Sequence, residues 1–336
     1  MRIHEAELYP WINSLLQAAG LRTADAVLVA DVFIRAARRE LGHHDLHDLP
    51  GRLQRLYAKA INPTPVFTTL RDDPGLYLFD GDSGLGELCC GHAVRFAIER
   101  AQRCGIGAAS VRHSNHFLAG FPYAQMGAEQ GFLVTVYSNT DPSMTGPNGT
   151  VAAIGNNPVA FGAPGDSEIP DMILDTSMAY SSIGNLIALS HRGETIPGHW
   201  ALNKDGKPTT DPQEALEGWR VRPIGEHKGF GLALMHEVMT AVMSGGETTT
   251  DISMPGGLNT HSHTVIAIAG QDTGRGLKRL SDQLAGQGLR LPGTADSSHE
   301  KESRQKGIHV RNATVHELLQ WSETLGVPAP QKVSEA

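Results

Sequence analysis

Three imidazoles and two carboxylates fall within six residues at His43-His44-Asp45-Leu46-His47-Asp48, the densest concentration of proton-transfer groups in the chain. Imidazole is the side chain whose unperturbed pKa lies nearest physiological pH, and a neighbouring carboxylate holds its tautomer and raises its basicity. The stretch therefore points to acid/base chemistry. The same residue types also suit zinc or a harder transition metal, so a metal-dependent hydrolase or lyase built on His43, His44 and His47 is the second reading. No recognised helical zinc signature is matched, and Asp48 taken alone reads as a cap for the helix that starts near Pro50.

Further chemistry-bearing groups lie where strands end. Val111-Arg112-His113-Ser114-Asn115-His116-Phe117 and Tyr137-Ser138-Asn139-Thr140-Asp141-Pro142 each follow a predicted strand, and such loops in α/β proteins commonly carry ligand-binding residues that converge on one site. Pro223 to Leu232 places Lys228 and small residues at a helix start, where backbone N–H groups and the helix dipole attract phosphate. A glycine-rich start packed against a neighbour explains the same residues. Gly84-Leu85-Gly86 nearly matches the dinucleotide fingerprint but lacks its third glycine, and reads as an ordinary turn.

These groups need a scaffold to position them. Helical apolar spacing covers residues 4–19 and 24–40, and a third helix is predicted over 50–60, which makes the His-rich stretch a helix-to-helix connection. From Leu76 the pattern alternates. Strands are predicted at 76–79, 108–111, 132–137, 159–163, 172–176 and 265–269, with helices at 85–104, 122–130, 228–243, 276–285 and 315–325. Residues 193–227 and the charged stretch 294–306 read as loops. The class is α/β.

At 336 residues the chain fits two domains of ordinary size or one interrupted by another. A net charge of −8 argues against a general attraction to nucleic acid or anionic lipid, since phosphate binding needs clustered Lys and Arg. Three cysteines without a Cys-x-x-Cys pair indicate neither a disulfide framework nor a zinc knuckle. With no signal-like N-terminus and no apolar run of membrane-spanning length, a soluble cytoplasmic protein is expected.

Six blocks together resemble the type-2 malate/L-lactate dehydrogenase family: Ser114-Asn115-His116-Phe117, Gly155-Asn156-Asn157-Pro158, Leu174-Asp175-Thr176-Ser177, Gly206 to Pro212, Pro223 to Leu232, and Arg290-Leu291-Pro292-Gly293. The resemblance spans nearly the whole chain. It implies a nicotinamide-dependent oxidoreductase, using NAD or NADP, that acts on 2-oxo acids or cyclic imines. It also implies a homodimer and a non-Rossmann nucleotide-binding fold with a helical N-terminal region and a mixed-sheet central domain. Residues 1–72 plus 247–336 are then expected to form one discontinuous domain, and 73–246 the cofactor-binding domain. The resemblance places the proton donor on His44 and puts His116 and Asp141 near the substrate. It assigns cofactor contacts to Asn157, Leu174, Asp175, Thr176, Ser177, Met178, Ala179, Tyr180, His227, Lys228, Gly229, Gly293 and Thr294.

Departures from the family pattern cluster around the substrate. Asp48 stands where relatives carry an arginine that holds the substrate carboxylate, and an anion there repels one. The expectation is that Arg52, one helical turn on, takes over, or that a substrate with a cationic or polyhydroxylated end faces Asp48, with His43 beside it. Gly146-Pro147-Asn148-Gly149 replaces an aromatic-glycine element, Asn185 replaces a lysine, and Thr294 replaces a glutamate. A family member that binds a nucleotide without catalysis is the third reading.

Overall fold

The structure, a computed structural model, describes residues 1–40, 44–252 and 260–334. A short strand β1 (Arg2–Ile3) is followed by helices α1 (Glu5–Ala18), α2 (Thr23–Arg38) and α3 (Leu49–Tyr57). Strands β2 (Thr68–Asp72) and β3 (Leu76–Asp80) lead into the long helix α4 (Gly86–Cys104), then β4 (Ile106–Ser114), α5 (Phe121–Ala128) and β5 (Phe132–Ser138). Short strands β6 (Met144–Thr145) and β7 (Ala152–Ile154) precede β8 (Val159–Ala163) and β9 (Met172–Thr176). Next come α6 (Ile183–His191), β10 (Ala201–Leu202), α7 (Pro212–Gly218), β11 (Arg220–Val221) and α8 (His227–Glu237), which continues through a π-turn at Val238–Val242. Strand β12 (His261–Ala269), helices α9 (Thr273–Ala285) and α10 (Thr294–Lys306), strand β13 (Ile308–His309) and helix α11 (Asn312–Leu325) follow.

The helical spacing of the N-terminal region is the spacing that packs. In α1 the buried residues are Leu8, Trp11, Ile12, Leu15 and Leu16, a single stripe along the helix, and they join the main core with Phe33 and Ile34 of α2. Helix α3 buries Leu49, Pro50, Leu53 and Leu56, which leaves the neighbouring stripe to face a cavity.

Seven strands form the large sheet in the order β2-β3-β4-β12-β5-β8-β9, and only the β3–β4 pair, joined through α4, is parallel. A doubly wound dinucleotide fold needs a run of parallel strands. The mixed sheet is a different α/β architecture, as expected. A four-stranded sheet, β10-β11-β6-β7, carries a second apolar core that includes Met144, Ile154, Leu186 and Val221.

Two expectations need correction, and one strand crosses the expected domain division. The charged stretch 294–306 is the helix α10, whose polar composition hid exposed i,i+4 pairs between Glu300 and Arg304 and between Glu302 and Lys306. Residues 193–227 are not all loop: they contain α7, capped by Asp211 and opened by Pro212, between two strands too short to show alternation. Strand β12, from the 247–336 segment, lies at the centre of the large sheet, hydrogen-bonded to β4 on one side and β5 on the other. A buried strand's apolar run identifies a strand but not its partners.

Candidate active site

His44, Asp48, Arg52 and Arg55 are spaced by four, four and three residues, which puts them on one side of α3 and the turn before it. All four line one cavity. His44 adopts a left-handed backbone (φ 53°), and its Nδ1 lies 3.4 Å from Asp48 Oδ2. Asp48 makes no side-chain capping bond to α3, contrary to the simple reading of the sequence. Its other oxygen sits 3.3 Å from His47 Nε2. Burial raises the Asp48 carboxyl, but the His44 hydrogen bond and the Arg52 guanidinium outweigh it and hold the group well below the usual carboxylate range. Asp48 is thus an anion shared between two imidazoles.

His47 is turned the other way: its Nδ1 lies 2.8 Å from Asp45 Oδ1, which also accepts the His47 backbone N–H. His43 lies outside the described residues. Among the described residues no group of three or more His, Cys, Asp or Glu side chains is arranged to hold a metal ion.

Arg52 is buried and engaged on two sides. Its Nε donates to Glu87 Oε1 at 3.0 Å, and its NH2 donates to His116 Nδ1 at 3.2 Å. Leu118 N–H donates to the same Nδ1 at 3.2 Å, so this nitrogen is an acceptor and the ring proton sits on Nε2. Burial, with the charge of Arg52 and the neighbouring imidazoles, pushes the His116 pKa well down. His116 is a neutral hydrogen-bond donor whose ring centroid lies 5.3 Å from that of His44, the planes tilted by 35°.

The loop that presents His116 is held from below by α4. A Cβ on Gly86 would meet Asn115 O at 2.3 Å and His116 O at 2.4 Å, and Asn115 Nδ2 donates to Ser83 O and Gly84 O. The glycines that resembled a phosphate turn serve this close backbone approach instead.

Asp141 follows β5 and lines the same cavity. Its loop is pinned by the Gly155-Asn156-Asn157 block: Asn157 Oδ1 accepts Thr140 N–H, and Asn156 Oδ1 accepts Thr140 Oγ1–H. Burial raises the Asp141 carboxyl to about 6 against the opposing charge of Arg55. His261, at the start of β12, places Nε2 3.7 Å from Asp141 Oδ2 and is fully buried, and burial lowers its pKa to about 3.

Two cavities meet at this point. One, of about 310 Å³, is lined by Asp48, Arg55, Asp141, Ile183, Ile187 and Trp219 among others. The other, of about 440 Å³, runs past Arg39, Leu118, Asp175, Thr176, Ser177 and Tyr180. His44, His116, Thr140, Asn156 and Ser182 line both. Asp175 accepts the N–H groups of Gly120 and Phe121, each at 2.9 Å, at the start of α5.

The remaining candidates divide. Thr176, Ser177, Ala179 and Tyr180 line the larger cavity with Asp175. Gly229 and Gly293 are packed around the same segment: a Cβ on Gly229 would meet Met178 O at 2.7 Å, and one on Gly293 would meet Ile173 O at 2.5 Å. His227 and Lys228 are exposed on the first turn of α8, Leu174 is exposed on β9, and the Thr294 hydroxyl donates to Leu291 O. Asn157 and Met178 are buried away from the cavities. The Asn157 side chain is consumed by Thr140, Ala233 and Glu237, and its neighbour Asn156 is the one that lines both cavities. Sequence reasoning missed Arg55, Trp219, Arg39 and His261. For Arg55 a signal existed in the spacing from Asp48 and Arg52; the others are brought in by tertiary contacts.

Residues 3–319 match the sequence profile described as malate/L-lactate dehydrogenase, so the chain belongs to that family and is an oxidoreductase. Among its relatives, a malate dehydrogenase of Pyrococcus abyssi is 34% identical over 254 residues, covering 73% of this chain and 69% of that one. Delta(1)-pyrroline-2-carboxylate reductase 1 of Burkholderia ambifaria is 30% identical over 327 residues, covering 93% and 95%. The crystal structure of malate dehydrogenase from Entamoeba histolytica shares the fold, with a TM-score of 0.92 at 24% identity over 98% of this chain and 99% of that one.

Proposed function

We propose that the chain reduces the C=O or C=N carbon of a small polar 2-oxo acid or cyclic imine, with NADH or NADPH as the reductant and His44 as the proton donor. The observation that carries this reading is the meeting of two cavities at His44 and His116. The larger cavity fits a nicotinamide dinucleotide: Asp175, Thr176 and Ser177 offer groups for ribose hydroxyls, and Gly120 leaves room where a Cβ would press on Ala160 and Asp175. Arg39 and Asn185 line its course. A bound reduced nicotinamide would supply the hydride. The smaller cavity takes the substrate.

As the carbon is reduced, negative charge develops on the attached oxygen or nitrogen. The His116 Nε2–H is a neutral donor suited to polarise that atom, and His44 hands it the proton. Asp48, on Nδ1, keeps the imidazole oriented with its transferable proton on Nε2 and stabilises the charged ring before transfer. Asp141 lies at the far end as a substrate contact. A positioned general acid contributes roughly 10²- to 10⁴-fold. His44→Ala should therefore lower kcat by that order while nicotinamide affinity, read by fluorescence titration, stays within about threefold. Wild-type turnover in that variant would remove His44 from the mechanism.

The partner we propose is a second copy of the chain. Leu232, Leu234, Met235, Val238 and Val242 are exposed on α8 and its π-turn, a run of apolar side chains that a second copy would cover. Sedimentation at micromolar concentration should give the mass of two chains; a single-chain mass overturns the dimer.

A further inference from the structure

Strand β12 carries two fully buried histidines two residues apart, and they differ in what they bond. His263 is satisfied on both sides, with Nδ1 2.9 Å from Ser138 Oγ and Nε2 3.0 Å from Asn115 O. Among the described residues neither nitrogen of His261 has a hydrogen-bond partner. A buried polar group left unpaired is costly, so the exception calls for a reason. What His261 faces is Asp141, whose Oδ2 lies 3.7 Å from Nε2 and whose Oδ1 is also buried without a partner. The backbone sets this meeting: Asn139 N–H donates to Ser262 O, and Ser262 N–H donates to Asn139 Oδ1.

Asp141 faces His261 from β12 and Arg55 from α3, and His44, Asp48, Arg52 and His116 line the same cavity. Burial holds His261 neutral, while the Asp141 carboxyl, at about 6, is ionised at neutral pH and above. The imidazole then carries one N–H, and the carboxylate beside Nε2 draws it there. Trp219 lines the cavity too, with a buried indole Nε1–H that has no partner. Val221 pairs with Met144 in parallel, so Trp219 and Asp141 enter from the same end of the β11–β6 pair. One end of the cavity thus offers an acceptor and a donor together. A hydroxyl can donate to the first and accept from the second. A carboxylate there has no proton to give and is repelled by Asp141.

We propose that the substrate is a 2-oxo or cyclic imino acid with a hydroxyl remote from its reducible carbon, held between Asp141 and Trp219, and that His261 is a positioning residue for Asp141. This rests on the reductase reading above and narrows it. It also moves the search for selectivity from Asp48 to the strand ends that carry Asp141 and Trp219.

The test compares initial rates of the full chain, with NADH and with NADPH, on 2-oxobutanoate and its 4-hydroxy form, on Δ1-pyrroline-2-carboxylate and its 4-hydroxy form, and on oxaloacetate. In one pair or both the hydroxylated member should exceed its parent, and oxaloacetate, by about 10-fold or more in kcat/KM. Asp141→Ala and Trp219→Phe should each cut that ratio about threefold or more. His261→Leu should cut it as well and move the acid limb of the kcat/KM profile up by about 0.5 in pH or more, since a carboxylate that loses a donor is protonated more readily. His261→Gln keeps a donor and should restore part of both. Equal rates within both pairs, a preference for oxaloacetate, or an undiminished ratio in Asp141→Ala overturns the substrate class. A His261→Leu variant that loses stability but keeps the ratio and the acid limb overturns the positioning role. If the wild type reduces none of these compounds, the reductase reading fails, and thermal shifts with the unreactive cyclopentanecarboxylate and 3-hydroxycyclopentanecarboxylate judge the site alone. It stands if the hydroxylated ring stabilises the wild type more and Asp141→Ala removes the difference, and falls if the two rings stabilise equally or the difference survives in the variant.

Discussion

His44 and Asp48 are four residues apart, and their pairing decides what each can do. The carboxylate sets one oxygen against each of two imidazoles and makes no capping bond to α3. In the mechanism proposed above its effect on catalysis is exerted through His44. Asp48→Asn keeps the size and one acceptor oxygen but removes the negative charge beside the His44 ring. It should lower kcat roughly 10-fold or more with nicotinamide affinity unchanged, as measured by steady-state kinetics beside a fluorescence titration. Unaltered kcat would show that the pair has no part in proton transfer. His116 differs from His44: two N–H donors on Nδ1 and its burial favour a neutral ring that donates from Nε2.

At the scale of elements, the start of α4 controls where His116 stands. Gly86 touches the backbone of the Asn115-His116 peptide, and the flanking residues His113 (φ 51°) and Leu118 (φ 75°) hold left-handed conformations that give the loop little room to adjust. Gly86→Ala forces the helix and the loop apart. The expected result is a loss of about 1–3 kcal/mol in stability with a fall in kcat, read from denaturant melts and kinetics. Gly51→Ala is the control: that glycine lies on the exposed face of α3 with nothing within 4 Å of the added Cβ, and it should be neutral or stabilising by up to about 1 kcal/mol. Equal behaviour of the two variants would refute the role given to the α4 contact. The small strands were hidden because two or three residues carry no alternation, whereas α7 had its Asp-Pro start in plain view.

At the scale of the molecule, the strands that meet behind the site bury imidazoles as neutral groups. Burial lowers His261 to about 3 and His263 to about 4, and pushes His116 down with them. An unfolded chain binds these protons near pH 6.5, so it holds more protons than the native state between roughly pH 6.5 and 4, and stability falls as pH falls through that window. Asp141 works in the opposite sense, since its raised value makes its contribution fullest in acid and lost as pH rises through about 6. Burial also lowers His92 and His236, and Glu5, Asp45, Asp48 and Asp80 are held low and lose their contribution in acid. Burial raises Glu87, Asp171 and Asp175 in the sense of Asp141; the expected balance is acid sensitivity. The thermal midpoint should drop between pH 7 and about pH 4 in melts at constant ionic strength; a midpoint that holds or rises would contradict the neutral buried imidazoles. Among the described residues no helix is long and apolar enough to cross a membrane.

The sequence by itself determined what is local and periodic. It gave away the helices with an apolar stripe, the longer strands, the family blocks in their order, and the polar residues leading into α3, since 3.6-residue spacing alone puts His44, Asp48, Arg52 and Arg55 on one side. The tertiary structure decided what depends on register between remote segments. Ser114 pairs with His261, and Ser138 with His263, through a strand more than 120 residues further along the chain, and this brings His116, Asp141 and His261 together. It also decided which charges are already spent. Glu87 of α4 pairs with Arg52 of α3 from 35 residues further along the chain, and Arg55 lines the same cavity one turn on. Pairwise charge cancellation is a matter of distance in space, and spacing along the chain records it only within a single helix.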